Sequence, residues 1–535
     1  MNIRGAITAI IVLGISASVP AVAQEAAAVY EPSKTREPAQ NLSQDHFEMM
    51  QQTTLGLIRK LVDKGVLTKE AADQLIKEAE QAAEKAVASR LTAPVEVPLQ
   101  PGVTRVPYVP EFVRRDMKEE IKREVLAQAR GERWGDPGAL PGWVGKISWS
   151  GDIRLRFQRD SFPDGNSLPG AYNPAGLPLI SNTTETHSYT RLQARLGMKA
   201  KVSDYTFADF RLSTGSTTNP VSTNQTLGNG YNKHALMLDQ AYLQSNPYSW
   251  LTLSGGKMPN PWLSTELVWD LDVNFEGFAL NFKPRFNDEW SGFITTGAFP
   301  YQNIQRSDIV LANSKWLYGA QLGATWFGPD TSNGQFGVAL YYFDHIEGTP
   351  NPIKGTFNYD FTSALSLQKG NTLMYVNATG DTTLYGIASK FTELNITAKY
   401  DWATFDPTHI LIAADYVRNL GYDQSEITQR TKLPAPDPKV TGYKVALTIG
   451  APNIKQRGDW QASIAYKYLE ADAVLDSLTD SNLHLGGTNT KGFIIGGRYG
   501  VDKNTWLSLG WFSSDQIEGQ TLAIDTLQLD LSTRF

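Results

Sequence analysis

Six histidines are the natural place to look for acid–base or metal chemistry, and their spacing argues against both. His46, His187, His234, His345, His409 and His484 lie far apart, mostly in segments that read as loops. No H-x-x-x-H, H-E-x-x-H or acidic calcium loop occurs, and the G-x-S-x-G elbow is absent. The chain has no cysteine, which removes thiolate nucleophiles and thiolate metal sites. A hydrolytic arrangement would need Ser188 with His187 and His234 drawn together from separate segments. No catalytic residue, metal or cofactor is implied. The G-N-G string at Gly228 to Gly230 is a turn signal.

A different chemistry is written in charges that recur every second residue. Asp152, Arg154 and Arg156 alternate with Ile153, Leu155 and Phe157; Arg191, Arg195 and Lys199 alternate with Leu192, Ala194, Leu196 and Met198. Asp209, Arg211 and Lys257 continue the set. A period of two places such residues on one face of a strand and the apolar ones on the other. Charge facing hydrocarbon costs several kcal/mol, so these side chains need water or a partner. With Asp239 and Glu276 the only other acids close by, the face is net basic and would favour anions. The alternative is that the bases pair with carboxylates of an inserted loop and brace a wall.

The elements that would carry these residues fill the last 390 or so positions. Sixteen strand candidates run over 146–157, 189–200, 204–214, 235–245, 249–258, 271–283, 289–299, 315–328, 334–344, 391–401, 410–419, 440–450, 458–469, 490–500, 504–513 and 522–534. Thr383 to Lys390 also has strand character. Short and long joints alternate between them, the asymmetry of periplasmic turns against extracellular loops. In the last strand Leu527, Leu529, Leu531, Thr533 and Phe535 share one face, and Thr526, Gln528, Asp530, Ser532 and Arg534 the other. In the sixth, apolar residues change face near Gly277, which predicts a bulge. Trp149, Trp250, Trp290, Trp316, Trp460, Trp506 and Trp511 are candidates for interfacial girdles. The expected fold is an all-β transmembrane β-barrel of about 16 antiparallel strands over residues 145–535, with an N-terminal periplasmic helical or coiled-coil extension. Sixteen strands enclose an aqueous interior. The long 345–390 segment, with Tyr359, Asp360, Phe361, Lys369 and Tyr375, or Tyr172 to Ile180 would narrow it.

Before the strands the pattern is different. Residues 1–23 read as a signal peptide, with Arg4, an apolar run from Ala6 to Val19 and Ala21-Val22-Ala23 before Gln24. Its removal takes one positive charge from the formal −6 and leaves −7. Residues 24–93 form a helical segment. Phe47, Met50, Thr54, Leu57, Ile58 and Leu61 make one stripe, and Ala72, Leu75, Ile76, Ala79, Ala83 and Ala86 a second, narrow one that fits a slender coiled coil. Residues 94–110 are a proline-rich linker and 111–144 a charged helix with its lead-in. No later stretch is apolar enough for a helical membrane span. The mild acidity argues against nucleic acid as a partner.

Several of these features together resemble the Putative porin family of Gram-negative bacteria. The residues that carry the resemblance are V-P-Y-V-P-E-F-V at Val106 to Val113, the basic-acidic helix after it, W-x-G-D-I-R-L-R-F at Trp149 to Phe157, and the terminal Phe535. The resemblance implies a passive channel for small hydrophilic solutes or ions in the cell outer membrane, with lipid and lipopolysaccharide around it and homotrimers as the assembly. It also implies that Phe535 is the signal read by the barrel-assembly machinery. The N-terminal helices depart from compact porins. They make tethering of the envelope through residues 44–90, by contact with peptidoglycan, the alternative reading.

Overall fold

The structure is a computed structural model that describes residues 144–169, 181–352, 356–379 and 382–535. Expectations for residues 1–143, and for Tyr172 to Ile180, lie outside the described residues. Among the described residues no helix is long and apolar enough to cross a membrane.

Among the described residues nineteen strands follow in chain order. The first half comprises β1 (Ile147–Ser161), β2 (His187–Lys201), β3 (Thr206–Ser213), β4 (Gln225–Thr226), β5 (Met237–Tyr248), β6 (Leu251–Pro259), β7 (Asn274–Phe282), β8 (Trp290–Gln302), β9 (Lys315–Phe327) and β10 (Asn333–Asp344). Then come β11 (Leu373–Thr379), β12 (Thr382–Ile387), β13 (Phe391–Trp402), β14 (His409–Asn419) and β15 (Thr441–Gly450). β16 (Trp460–Leu469), β17 (Thr490–Asp502), β18 (Thr505–Gln516) and β19 (Ala523–Arg534) complete the chain. Seventeen belong to one sheet, in which each neighbour pair is antiparallel and β1 pairs with both β2 and β19. β4 is only a two-residue addition beside β2, so the wall is a closed barrel of sixteen strands. Each of the sixteen sequence candidates overlaps one of them. The strand character of Thr383 to Lys390 belongs to the separate β11–β12 hairpin.

Closure follows from the two-residue alternation. In β1 Trp149 is 62% exposed and Ile153, Leu155 and Phe157 are exposed, whereas Arg156, Gln158 and Asp160 are buried. β19 repeats this with exposed Leu529 and Leu531 against buried Thr526, Gln528, Asp530 and Ser532. An inverted pattern, greasy outside and polar inside, is stable only with hydrocarbon around the wall and water or paired polar groups within it. Trp149, Trp250, Trp290, Trp402 and Trp460 ring the end with short turns, all exposed. Tyr318, Tyr342 and Tyr443 mark the other end, Tyr443 stacked on Tyr468 at 5.3 Å. These are the two interfacial belts of a spanning barrel. Trp506 is not part of a belt; the Arg534 guanidinium lies over its ring at 5.4 Å.

The change of face near Gly277 is real but is not a bulge. Phe275 is buried and Phe278 is 74% exposed, yet the β6–β7 ladder runs through Gly277, opposite Gly256, without a shift. Apolar residues occupy both faces here because the inner face is covered by inserted chain. Gly277 has φ +142°, and a Cβ there would strike the backbone of Ala298 and Phe299 on β8. The ladder does slip nearby, between β3 and β5 at Arg211/Leu212, where Asp239 is the extra residue.

Candidate functional site

Among the described residues, 260–273, between β6 and β7, fold inward against the wall. This segment carries Trp262, Leu267, Val268 and Trp269, all buried, in a cluster with Phe275, Phe299, Tyr341 and Phe343 of the wall. Burial of that apolar surface draws the loop inward, and polar bonds to distant strands fix its path. Gln321 on β9 exchanges two hydrogen bonds of 2.8 Å with the Leu263 backbone. Asp415 on β14 accepts from Thr265 N and Oγ1 at 3.0 and 2.6 Å. Lys444 on β15 pairs with Glu266 at 2.5 Å.

A second inserted segment, 470–489, locks onto the first. Leu478 O accepts from Asp270 N at 2.8 Å, Asp270 Oδ2 accepts from Ser481 N at 2.9 Å, and Thr479 Oγ1 donates to Leu267 O at 2.8 Å. Lys467, fully buried on β16, lies 3.5 Å from Asp480. The 345–390 segment is pinned to the wall, where Lys315 of β9 donates to the carbonyls of Thr362 and Ser363. It folds on itself and holds the second insertion: Asn371 donates to the carbonyls of Ala471 and Val474, and Lys369 to those of His484 and Gly486. Of its residues named above, Phe361 is exposed and Asp360 is tied to Asn351 and Asn377.

Burial and like charge act on the groups at these joints. Asp270 is pushed up to about 7 by burial and by Asp480 close to it. Burial also raises Asp476 to about 7 and lowers Lys369 to about 7.

With the loops in place, most of the charged face turns out to be paired. Arg156 makes a two-pronged bond to Asp530, both arms 2.8 Å, and also donates to Asn482. Arg195 lies 2.9 Å from Asp152 and 3.4 Å from Asp272, a residue of the first insertion. Lys199 faces Asp209 at 3.5 Å, and Arg211 bonds Asp239 at 2.5 Å. Lys257 pairs with Glu276 at 2.7 Å, on the face of β6 that also carries exposed Leu253, opposite to buried Met258. Arg154 and Arg191 differ. Arg154 donates only to the neutral Asn224, at 2.8 Å, and Arg191 lies over the Tyr189 ring at 5.9 Å with no carboxylate in bonding range. The Nε of each is buried without a partner.

Two cavities line up along this wall. The inner one, about 560 Å³, is bounded by Arg154, Arg156, Arg195 and Arg498 on the wall and by Glu266, Asp270, Asp272 and Asp480 on the insertions. The outer one, about 600 Å³ and nearer the long loops, is lined by Asp160, His187, Tyr189 and Arg191, and both touch Ser481. Wall arginines, with Asp530 among them, and acids of the insertions therefore face each other across this space. Ser188 and His187 are successive residues of β2 whose side chains leave on opposite faces, and no group of three or more potential metal ligands occurs among the described residues.

Sequence reasoning missed Arg498, Asp272, Asp530 as the partner of Arg156, and the 260–273 insertion. The signal for the insertion was present: a water-exposed loop has no reason to carry Trp262, Leu263, Leu267, Val268 and Trp269 within eight residues.

The family described as Putative porin matches residues 51–535. No curated protein matches. Among solved structures, the outer membrane channel DcaP of Acinetobacter baumannii is 13% identical, with 73% of this chain and 97% of that one covered and a TM-score of 0.37. OprB of Pseudomonas putida is 12% identical, with 75% and 97% covered and a TM-score of 0.42. OmpF of Salmonella typhi, in complex with daunomycin, is 11% identical, with 73% and 97% covered and a TM-score of 0.37. With a closed sixteen-stranded wall and a family match over nearly its whole length, the chain belongs to the Putative porin family.

Proposed function

We propose that this outer-membrane porin passes small hydrophilic solutes or ions by passive diffusion and prefers anions, without covalent turnover. The observation that carries the reading is that Arg154, Arg191 and Arg498 border the stacked cavities with no carboxylate of the described residues within ion-pair distance. Paired bases brace the wall; unpaired ones leave positive charge free to meet a passing solute. The remaining proposed pore-lining groups, Asp152, Arg156, Arg195, Lys199, Asp209 and Arg211, are pinned and set the shape of the lumen more than its sign, while Lys257 stands on the other face of β6.

The reversal potential in a salt gradient tests this. The proposal expects the wild-type potential to lie toward that of chloride. Neutralising Arg154 or Arg191 moves it toward zero more than neutralising Arg156 or Arg195. A cation-preferring wild type would overturn the preference. A homotrimer, and recognition of Phe535 by the barrel-assembly machinery, are part of the same proposal. So is a periplasmic position for residues 24–144; deletion of residues 24–130 is then expected to leave conductance in place.

A further inference from the structure

The outer cavity has a chemistry of its own. One side carries Arg191; around it stand the apolar and aromatic residues His187, Tyr189, Leu485, Leu522 and Ile524. The His187 and Tyr189 rings pack at 4.8 Å. Tyr189 is held in place because its hydroxyl donates to Asp160 Oδ2 at 2.9 Å, while Asp160 Oδ1 accepts from Gln158 and Thr526. The three donors are neutral, and among the described residues Asp160 makes no ion pair with Arg191. The other cation in the cavity, Lys369, is spent on two backbone carbonyls. Arg191 alone offers a free guanidinium. It sits directly across the strand pair from Arg156, whose charge is already met by Asp530, so the Arg191 guanidinium is the one left open to an anionic group. The space, about 600 Å³, is of the size that encloses a small organic molecule.

We infer that this outer cavity is a capture site for organic carboxylates that carry an apolar ring. Arg191 takes the carboxylate as a forked donor, and the His187–Tyr189 side takes the ring. Asp160 acts as a positioning residue for Tyr189. The solute then moves to the Arg154 level of the inner cavity, which shares Ser481. The inference rests on the channel reading for passage, though binding itself does not require it.

The test is current through single pores in planar bilayers bathed in KCl, with benzoate, acetate or benzyl alcohol added on the long-loop side. Benzoate should interrupt the current saturably, with half-effect at a concentration at least tenfold below that of acetate; benzyl alcohol should leave the current alone. Arg191→Gln should raise the benzoate half-effect concentration tenfold or more. Tyr189→Ser should weaken benzoate and leave acetate as it was. Folding of each variant is read from its heat-dependent gel mobility. Equal potency of benzoate and acetate, or undiminished block in folded Arg191→Gln, overturns the site while the channel reading stands. If no current steps occur at all, the channel reading falls, and equilibrium binding of benzoate to the folded detergent-solubilised barrel decides the site: tenfold weaker binding by Arg191→Gln supports it, and equal binding overturns it.

Discussion

Arg156 on the first strand and Asp530 on the last lie directly opposite each other, joined by two bonds of 2.8 Å inside the barrel. The pair closes the seam between the two ends of the sheet. Both side chains are nearly inaccessible, with side-chain exposures of 8% and 10%. A pair of this kind contributes little net stability over an apolar replacement, but loss of one member leaves a stranded charge.

Asp530→Ala should therefore destabilise the barrel by about 3–5 kcal/mol, and Arg156→Leu with Asp530→Leu should recover most of the loss. The temperature at which the compact gel band converts to the unfolded one reads this. Equal conversion temperatures for wild type and Asp530→Ala would contradict the role given to the seam.

The path of the first insertion depends on a few polar pins. Gln321→Ala removes both bonds to Leu263 and leaves two backbone groups without their partner, at a cost of about 1–3 kcal/mol. Loosening residues 260–273 should raise single-pore conductance or its low-frequency noise, with the wall intact. Unchanged conductance and noise would mean that the insertion does not limit flow.

The joint between the insertions should depend on pH with a definite sign. Asp270 titrates near 7 in the folded chain and near 3.8 when free, so the folded form holds the extra proton between those values. Stability from this group is present at acid pH and is lost as pH rises through about 7. Amide exchange in residues 260–273 should accelerate from pH 5 to pH 8, after correction for the intrinsic rate. Asp270→Asn should flatten that change. Acceleration toward acid pH would contradict the assignment.

At the closing end, the Phe535 ring covers Gly151, and their backbones exchange hydrogen bonds of 2.9 and 3.0 Å. A Cβ at Gly151 would lie 2.9 Å from the Arg195 carbonyl and against the Phe535 ring. Gly151→Val should thus cost about 1–3 kcal/mol by overpacking. It should also lower the fraction of chains that fold into lipid vesicles; wild-type folding of this variant would argue against the contact.

The wall was legible in the sequence because a spanning strand has two solvents. Ile153, Leu155 and Phe157 against Arg154 and Arg156 specify face and period within a dozen residues. The lumen was much less legible. The partner of Arg156 is Asp530, and Arg195 adds Asp272 to its neighbour Asp152, hundreds or tens of residues away in sequence, so acids counted on neighbouring strands understated the compensation. The inward course of residues 260–273 is set by Gln321, Asp415 and Lys444 on β9, β14 and β15, none of which is near it in sequence. Arg498 escaped notice because it stands alone between glycines and tyrosine rather than in an alternating charged run.

The most direct measurement is the current across a planar bilayer after addition of purified, heat-modifiable protein. A closed barrel with water along its charged wall predicts discrete, reproducible conductance steps that scale with salt concentration. A bilayer that stays silent with protein shown to be folded and inserted would contradict it.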